Sequence, residues 1–121
     1  MTQKLHISTL VDNEFNNDVA VAPMALGSLT QGISPLELAG AYQMIGNGGL
    51  YIKPHSYTQV LNSDGDVVLK ANTSPERVIS AETSTILNKL CQRVVNGSPG
   101  TGTTAYIPGY EIGGKTGSAT D

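Results

Sequence analysis

Gly109-Tyr110-Glu111-Ile112-Gly113-Gly114-Lys115-Thr116-Gly117-Ser118 is the stretch on which the fold class turns. Its first eight residues satisfy G-x-x-x-x-G-K-S/T, the letters of a phosphate-binding loop. Such a loop needs an incoming strand and a helix beginning at Lys-Thr, so that the helix's first amides face the phosphate. Pro108 interrupts the lead-in, and only Gly117 to Asp121 follow Thr116. No later apolar strand ends in an Asp that would hold magnesium. Nucleotide binding is therefore the weaker reading. Taken alone, Lys115-Thr116-Gly117 also suits a plain surface turn. Its surroundings predict a strand over Tyr110 to Ser118, entered through a Pro108-Gly109 turn and, before that, a Gly100-Thr101-Gly102-Thr103-Thr104 loop.

Upstream, Ser80 to Asn96 reads as a helix, with Ser80 as cap, Ile86, Leu87, Leu90 and Val94 as the apolar stripe, and Gly97 past the end. Tyr57 to Leu61 and Val67 to Leu69 read as a hairpin, because Asn62-Ser63-Asp64-Gly65-Asp66 between them tolerates positive φ. An earlier helix spans about Ser34 to Ile45. Ser34-Pro35-Leu36-Glu37 supplies a capping hydroxyl, a Pro at the first helical position and a carboxylate three residues after the cap. Leu38, Ala41, Tyr42 and Ile45 form its stripe, with Tyr42 read as core, and Gly46-Asn47-Gly48-Gly49 ends it. Residues 1–33 read as a weak helical turn, a polar loop over Asp12 to Asp18, and an apolar link through Pro23 and Gly27. The fold class is thus α+β.

Composition bounds the rest. The chain has 121 residues, 14% of them charged, against about 25% in average domains. That length gives one domain with room for a modest core. A net charge of −3 with no Lys/Arg cluster excludes a nucleic-acid footprint. A single cysteine, Cys91, excludes an internal disulfide and a cysteine-based zinc site, and fits a small buried apolar residue. His6 and His55 are far apart and lack partners at metal-like spacing, so no metal and no cofactor is expected. Neither a bilayer-length apolar run nor a signal-peptide core after Met1 is present in these residues.

Several further motifs stand in order along the chain. They are Leu26-Gly27-Ser28, Gly32-Ile33-Ser34-Pro35-Leu36-Glu37-Leu38-Ala39, Ala41-Tyr42, Asn47-Gly48-Gly49 and Lys53-Pro54. Val94-Val95-Asn96, Gly100-Thr101-Gly102 and Gly113-Gly114-Lys115-Thr116-Gly117-Ser118 complete the series. Together they resemble the transpeptidase domain of penicillin-binding proteins over residues 24–121. The S/T-P-L-E-x-A form is most similar to class A, the bifunctional peptidoglycan synthases.

The resemblance implies an α+β fragment of the penicillin-binding transpeptidase and serine β-lactamase-like fold. It would hold two helices, a hairpin and the Lys-Thr-Gly strand. Residues 1–121 would be a C-terminal portion of the domain, without the nucleophile-bearing part and without the last strands and helix. In that family a Ser in S-x-x-K is acylated by a D-Ala-D-Ala stem peptide, and a second peptide's amine resolves the ester into a cross-link. β-Lactams trap the acyl state.

By the same resemblance, Lys115 supplies positive charge toward the substrate carboxylate, and the hydroxyls of Thr116 and Ser118 bind that carboxylate. Gly117 keeps the strand edge bare, and the Ser118 N–H is one oxyanion-hole donor. Thr101 and Thr103 would line the cleft. The implied partners are stem peptides, β-lactams and the rest of the parent protein, and the unpaired faces leave self-association open. The parent family is anchored in the cytoplasmic membrane with this domain outside.

The nucleophile itself is missing. None of the ten serines has Lys three positions later or Asn two positions later. The chain alone is therefore expected to be inactive. The competing view is a non-catalytic module that retains the wall and binds peptides or a protein partner.

Overall fold

The computed structural model describes residues 2–117, and its organisation follows from two well-capped helices. Helix α2 (Pro35–Gly46) starts where the sequence places it. Ser34 accepts the Glu37 N–H at 3.3 Å, while the Glu37 carboxylate accepts from the Ser34 hydroxyl at 2.7 Å and the Ser34 N–H at 3.2 Å. Each partner thus satisfies a donor that the helix start would otherwise leave open. Helix α3 (Ala81–Asn96) is capped by Ser80, whose hydroxyl accepts the Thr83 N–H at 3.1 Å.

The Glu37 carboxylate does more than cap. Its other oxygen accepts from the Ser8 N–H and the Ser8 hydroxyl, both at 2.7 Å, which ties the N-terminal segment to α2. Bonds from Ser34 first, then from Ser8, pull its pKa from the ordinary 4.5 down to about 2. Because the folded value lies below the unfolded one, this contribution is full above pH 4.5 and is lost as pH falls toward 2. Denaturant midpoints followed from pH 6 to 2 should therefore fall more steeply for the wild type than for Glu37→Gln. Parallel curves would show that the carboxylate adds nothing.

Between the helices the chain forms four short strands, β1 (Leu50–Tyr51), β2 (Gln59–Leu61), β3 (Val67–Lys70) and β4 (Glu76–Arg77). β2 and β3 make the expected antiparallel hairpin, with Gln59 opposite Lys70 and Val60 opposite Leu69. β1 and β4 pair antiparallel, Leu50 opposite Arg77, a second sheet that the sequence pattern did not indicate. Two residues per strand leave too little alternation to detect. Its placement depends on Gly49, whose φ of +86° turns the chain out of α2. The Gly49 N–H donates to Met44 at 2.9 Å, and its carbonyl accepts from Val78 at 3.0 Å.

The N-terminal region departs from expectation at the apolar link. After a 3₁₀ turn at Thr2–Leu5, helix α1 (Val21–Leu26) replaces the apolar link, ending at Gly27 with φ +71°. Asp18, 2% exposed, organises the approach to it. Its carboxylate accepts from the Val11 N–H at 2.9 Å, the Thr30 N–H at 2.9 Å and the Thr30 hydroxyl at 2.7 Å. These bonds, the Val11 amide foremost, hold its pKa below the usual carboxylate value.

The core is small: Leu5, Met44 and Tyr51 are buried, with Ile7, Ala41, Ile45, Val78 and Ile79 packed around them. α2 and α3 meet through polar groups rather than through the stripe expected of α3. Ser84 Oγ and Asn88 Nδ2 both donate to the Ile45 carbonyl, at 2.6 and 2.8 Å. Those bonds satisfy a carbonyl near the end of α2. They turn the line Ser84–Asn88–Cys91–Val95 inward, leaving Ile86 59% and Leu90 53% exposed. Tyr42, read as core, is 39% exposed for the same reason: α2 buries Gly40 and Met44 instead. A 3₁₀ turn at Thr103–Ala105 follows α3.

Candidate functional site

The last turns of α3 carry the segment on which the sequence reading centres. Gly114 donates its N–H to the Cys91 carbonyl at 3.1 Å, and Asn96 Nδ2 donates to the Ile112 carbonyl at 3.1 Å. Gly113 lies flat on the helix, where a Cβ would stand 3.1 Å from Cys91 Cβ and 3.3 Å from the Gln92 nitrogen. The Gly102 N–H donates to the Val94 carbonyl at 2.9 Å, fixing the preceding loop to the same turn. Cys91 is half-buried in this seam, where its backbone does the work and its side chain packs.

Two hydroxyls expected in the site are brought together: Thr101 Oγ1 and Thr116 Oγ1 stand 3.0 Å apart. Both are exposed, as is Lys115, whose Nζ donates to the Thr116 carbonyl at 2.7 Å. One surface therefore presents an ammonium and two hydroxyls, a set suited to a carboxylate. Gly117 is exposed, with open space where a Cβ would stand. Thr103 is elsewhere, exposed in its 3₁₀ turn, and among the described residues its side chain makes no hydrogen bond to the others. Ser118 lies outside the described residues.

The strand expected over Tyr110 to Ser118 forms no ladder within residues 111–117. Its backbone groups bond to α3 instead, because no neighbouring strand is present among the described residues to receive them. The same bonds answer the phosphate-loop reading. Gly114 spends its amide on Cys91, and no helix begins at Lys115 within the described residues.

Sequence reasoning missed Cys91, Asn96 and Gly113 as the supports of this surface. Asn96 stood in the quoted Val94-Val95-Asn96 motif, yet nothing in its spacing says that it reaches across sixteen residues to Ile112. His6 and His55 are both exposed. His6 lies 3.7 Å from Glu76 and its ring centroid is 5.8 Å from that of Tyr51, while His55 contacts the Lys53 carbonyl. No group of three or more metal-ligating side chains gathers among the described residues.

Comparison with known proteins agrees with the motif series. Residues 5–121 match the family model described as penicillin binding protein transpeptidase domain. Penicillin-binding protein 4 of Bacillus subtilis is 38% identical over 116 residues, covering 96% of this chain and 18% of that protein. Penicillin-binding protein 1A of Clostridium botulinum is 37% identical over 102 residues, covering 84% of this chain and 12% of its own length. The crystal structure of the D,D-transpeptidase domain of a peptidoglycan glycosyltransferase from Eggerthella lenta superposes with a TM-score of 0.62 at 28% identity. That match covers 84% of this chain and 25% of the other. The chain thus spans less than a fifth of these two relatives' lengths. With its α+β architecture, its ordered motifs and a family match over nearly its whole length, the chain belongs to the penicillin-binding protein transpeptidase family.

Proposed function

We propose that this chain supplies the Lys-Thr-Gly wall of a class A D,D-transpeptidase that cross-links peptidoglycan stem peptides. The observation that carries the reading is the exposed set of Lys115 Nζ, Thr116 Oγ1 and Thr101 Oγ1, held on α3 within a chain of this family. In the reaction, a serine oxygen from the rest of the parent protein attacks the carbonyl between the two terminal D-Ala residues. The peptide bond breaks, and D-Ala leaves with a proton on its amine. The amine of a second stem peptide then attacks the ester, forms the cross-link and returns the serine.

In this scheme Lys115 and Thr116 hold the donor's terminal carboxylate, with Ser118 adding a second hydroxyl and its N–H as an oxyanion donor. Gly117 leaves room for the substrate backbone, and Thr101 lines the cleft. Thr103 belongs to the cleft only through its loop. β-Lactams would acylate the same serine. The exposed apolar side chains of α3 suit packing against the rest of a longer protein or, in isolation, a second copy. No helix of the described residues is long and apolar enough to cross a membrane. In this reading the parent protein is anchored in the cytoplasmic membrane with this domain outside the cytoplasm.

The test is Lys115→Ala in the longer protein that joins this segment to a Ser-x-x-Lys. Acylation by a labelled penicillin should slow about 10–10²-fold, the range for losing a hydrogen bond to a charged group. Lys115→Arg, which keeps the charge, should recover part of the rate. An unchanged rate in Lys115→Ala would remove Lys115 from the site.

A further inference from the structure

A groove of about 870 Å³ runs along α2, lined by Leu36, Ala39, Gly40 and Gln43 of the helix and by residues 52–57 and 70–72. Clefts that take small ligands and peptide side chains span about 300–1,000 Å³, so the space suits a short chain segment rather than a single ion. Leu36, Ala39, Ile52 and Pro54 give it an apolar lining, and the exposed Lys53 and Lys70 line it as well. No carboxylate lines it. Glu76, in the neighbouring hollow beyond Lys53, is 3.8 Å from Lys4 Nζ, and neither Lys53 nor Lys70 has an ion-pair partner among the described residues. In a chain of net charge −3, a slot with two cations and no anion is a local reversal of sign. Such a slot attracts negative charge while its apolar lining rewards burial of apolar side chains.

We propose that this groove docks a short acidic segment of a partner protein, with apolar side chains on the apolar lining and carboxylates toward Lys53 and Lys70. A concave slot between a helix and two chain segments admits a peptide, whereas an anionic bilayer meets a protein as a plane. The groove shares no residue with the Lys115 surface, so the proposal stands apart from the transpeptidase reading.

The test is fluorescence anisotropy of the 121-residue chain with a labelled decapeptide of alternating glutamate and leucine. Binding should saturate and should weaken at least tenfold when glutamine replaces every glutamate of the probe. The double variant Lys53→Glu/Lys70→Glu should weaken it equally, as should Ala39→Trp, which fills the groove without altering charge. Circular dichroism checks that each variant keeps its helices, and the glutamine probe tests the charge requirement on the unaltered chain. Absence of saturable binding, or binding indifferent to the glutamine probe, overturns the proposal. So does binding to phosphatidylglycerol vesicles without binding to the peptide.

Discussion

A fluorescent penicillin incubated with the 121-residue chain, then denatured and separated by size, is expected to leave no labelled band at 12.6 kDa. The argument is one of bonds rather than affinity. A serine ester of the kind this family forms requires a hydroxyl oxygen activated by a neighbouring base. None of the ten serines is followed by Lys at the third position, and no Ser-x-Asn is present to bridge the proton. Lys115 Nζ donates to the Thr116 carbonyl at 2.7 Å and makes no hydrogen bond to the Thr101 or Thr116 hydroxyl among the described residues. The surface that remains can still hold a carboxylate. Weak, saturable binding of a D-Ala-D-Ala peptide, lost in Lys115→Ala, would mark a retained recognition module. A band that survives denaturation would show that another residue of this chain can be acylated, and would end the view that the wall works only beside its nucleophile.

Gly49→Ala should be the most damaging single-atom change in the described fold, and Gly48→Ala is its internal control. Both glycines have positive φ, +62° at Gly48 and +86° at Gly49, so alanine at either meets the left-handed penalty of about 1–2 kcal/mol. At Gly48 a Cβ would enter open space, and the cost should stop there. At Gly49 it would collide with the Ile79 carbonyl, and the atom in the way is backbone. Relief means moving the stretch whose Val78 and Ile79 N–H groups donate to the Gly49 carbonyl, and with it the entry to α3. Urea denaturation should therefore show Gly49→Ala less stable than Gly48→Ala by at least about 2 kcal/mol, the scale of overpacking. Equal midpoints would mean that the turn yields easily and that α3 is not positioned through it.

What the sequence disclosed, it disclosed through local chemistry. The capping box at Ser34 and Glu37, the Ser80 cap and the Asn62–Asp66 turn each depend on residues within a few positions of one another, and all appear as read. What it concealed depends on distant partners. The rotation of α3 was decided by Ser84 and Asn88 reaching the Ile45 carbonyl, two polar contacts that outweigh the apolar stripe in setting which side faces inward. The β1–β4 pair joins Leu50 to Arg77 and Tyr51 to Glu76 through two residues per strand, below what alternation can reveal. On the surface proposed as the site, Lys115 and Thr116 belong to a short motif that names them. Cys91 and Gly113 were not legible, because their contribution is a backbone carbonyl and an absent side chain.

The two hydroxyls of the wall hang from a single rod. Val94 grips the Thr101 loop through Gly102, and three residues earlier Cys91 grips the Thr116 segment through Gly114. A displacement of α3 therefore carries both as one piece, keeping their 3.0 Å spacing while changing their distance to everything beyond the helix. Under the proposed function, alignment of this surface with the serine of the parent protein becomes a question of one coordinate. Substitutions at the root of that rod, such as those that disturb the Ser84 and Asn88 clasp, would misaim the whole surface without deforming it.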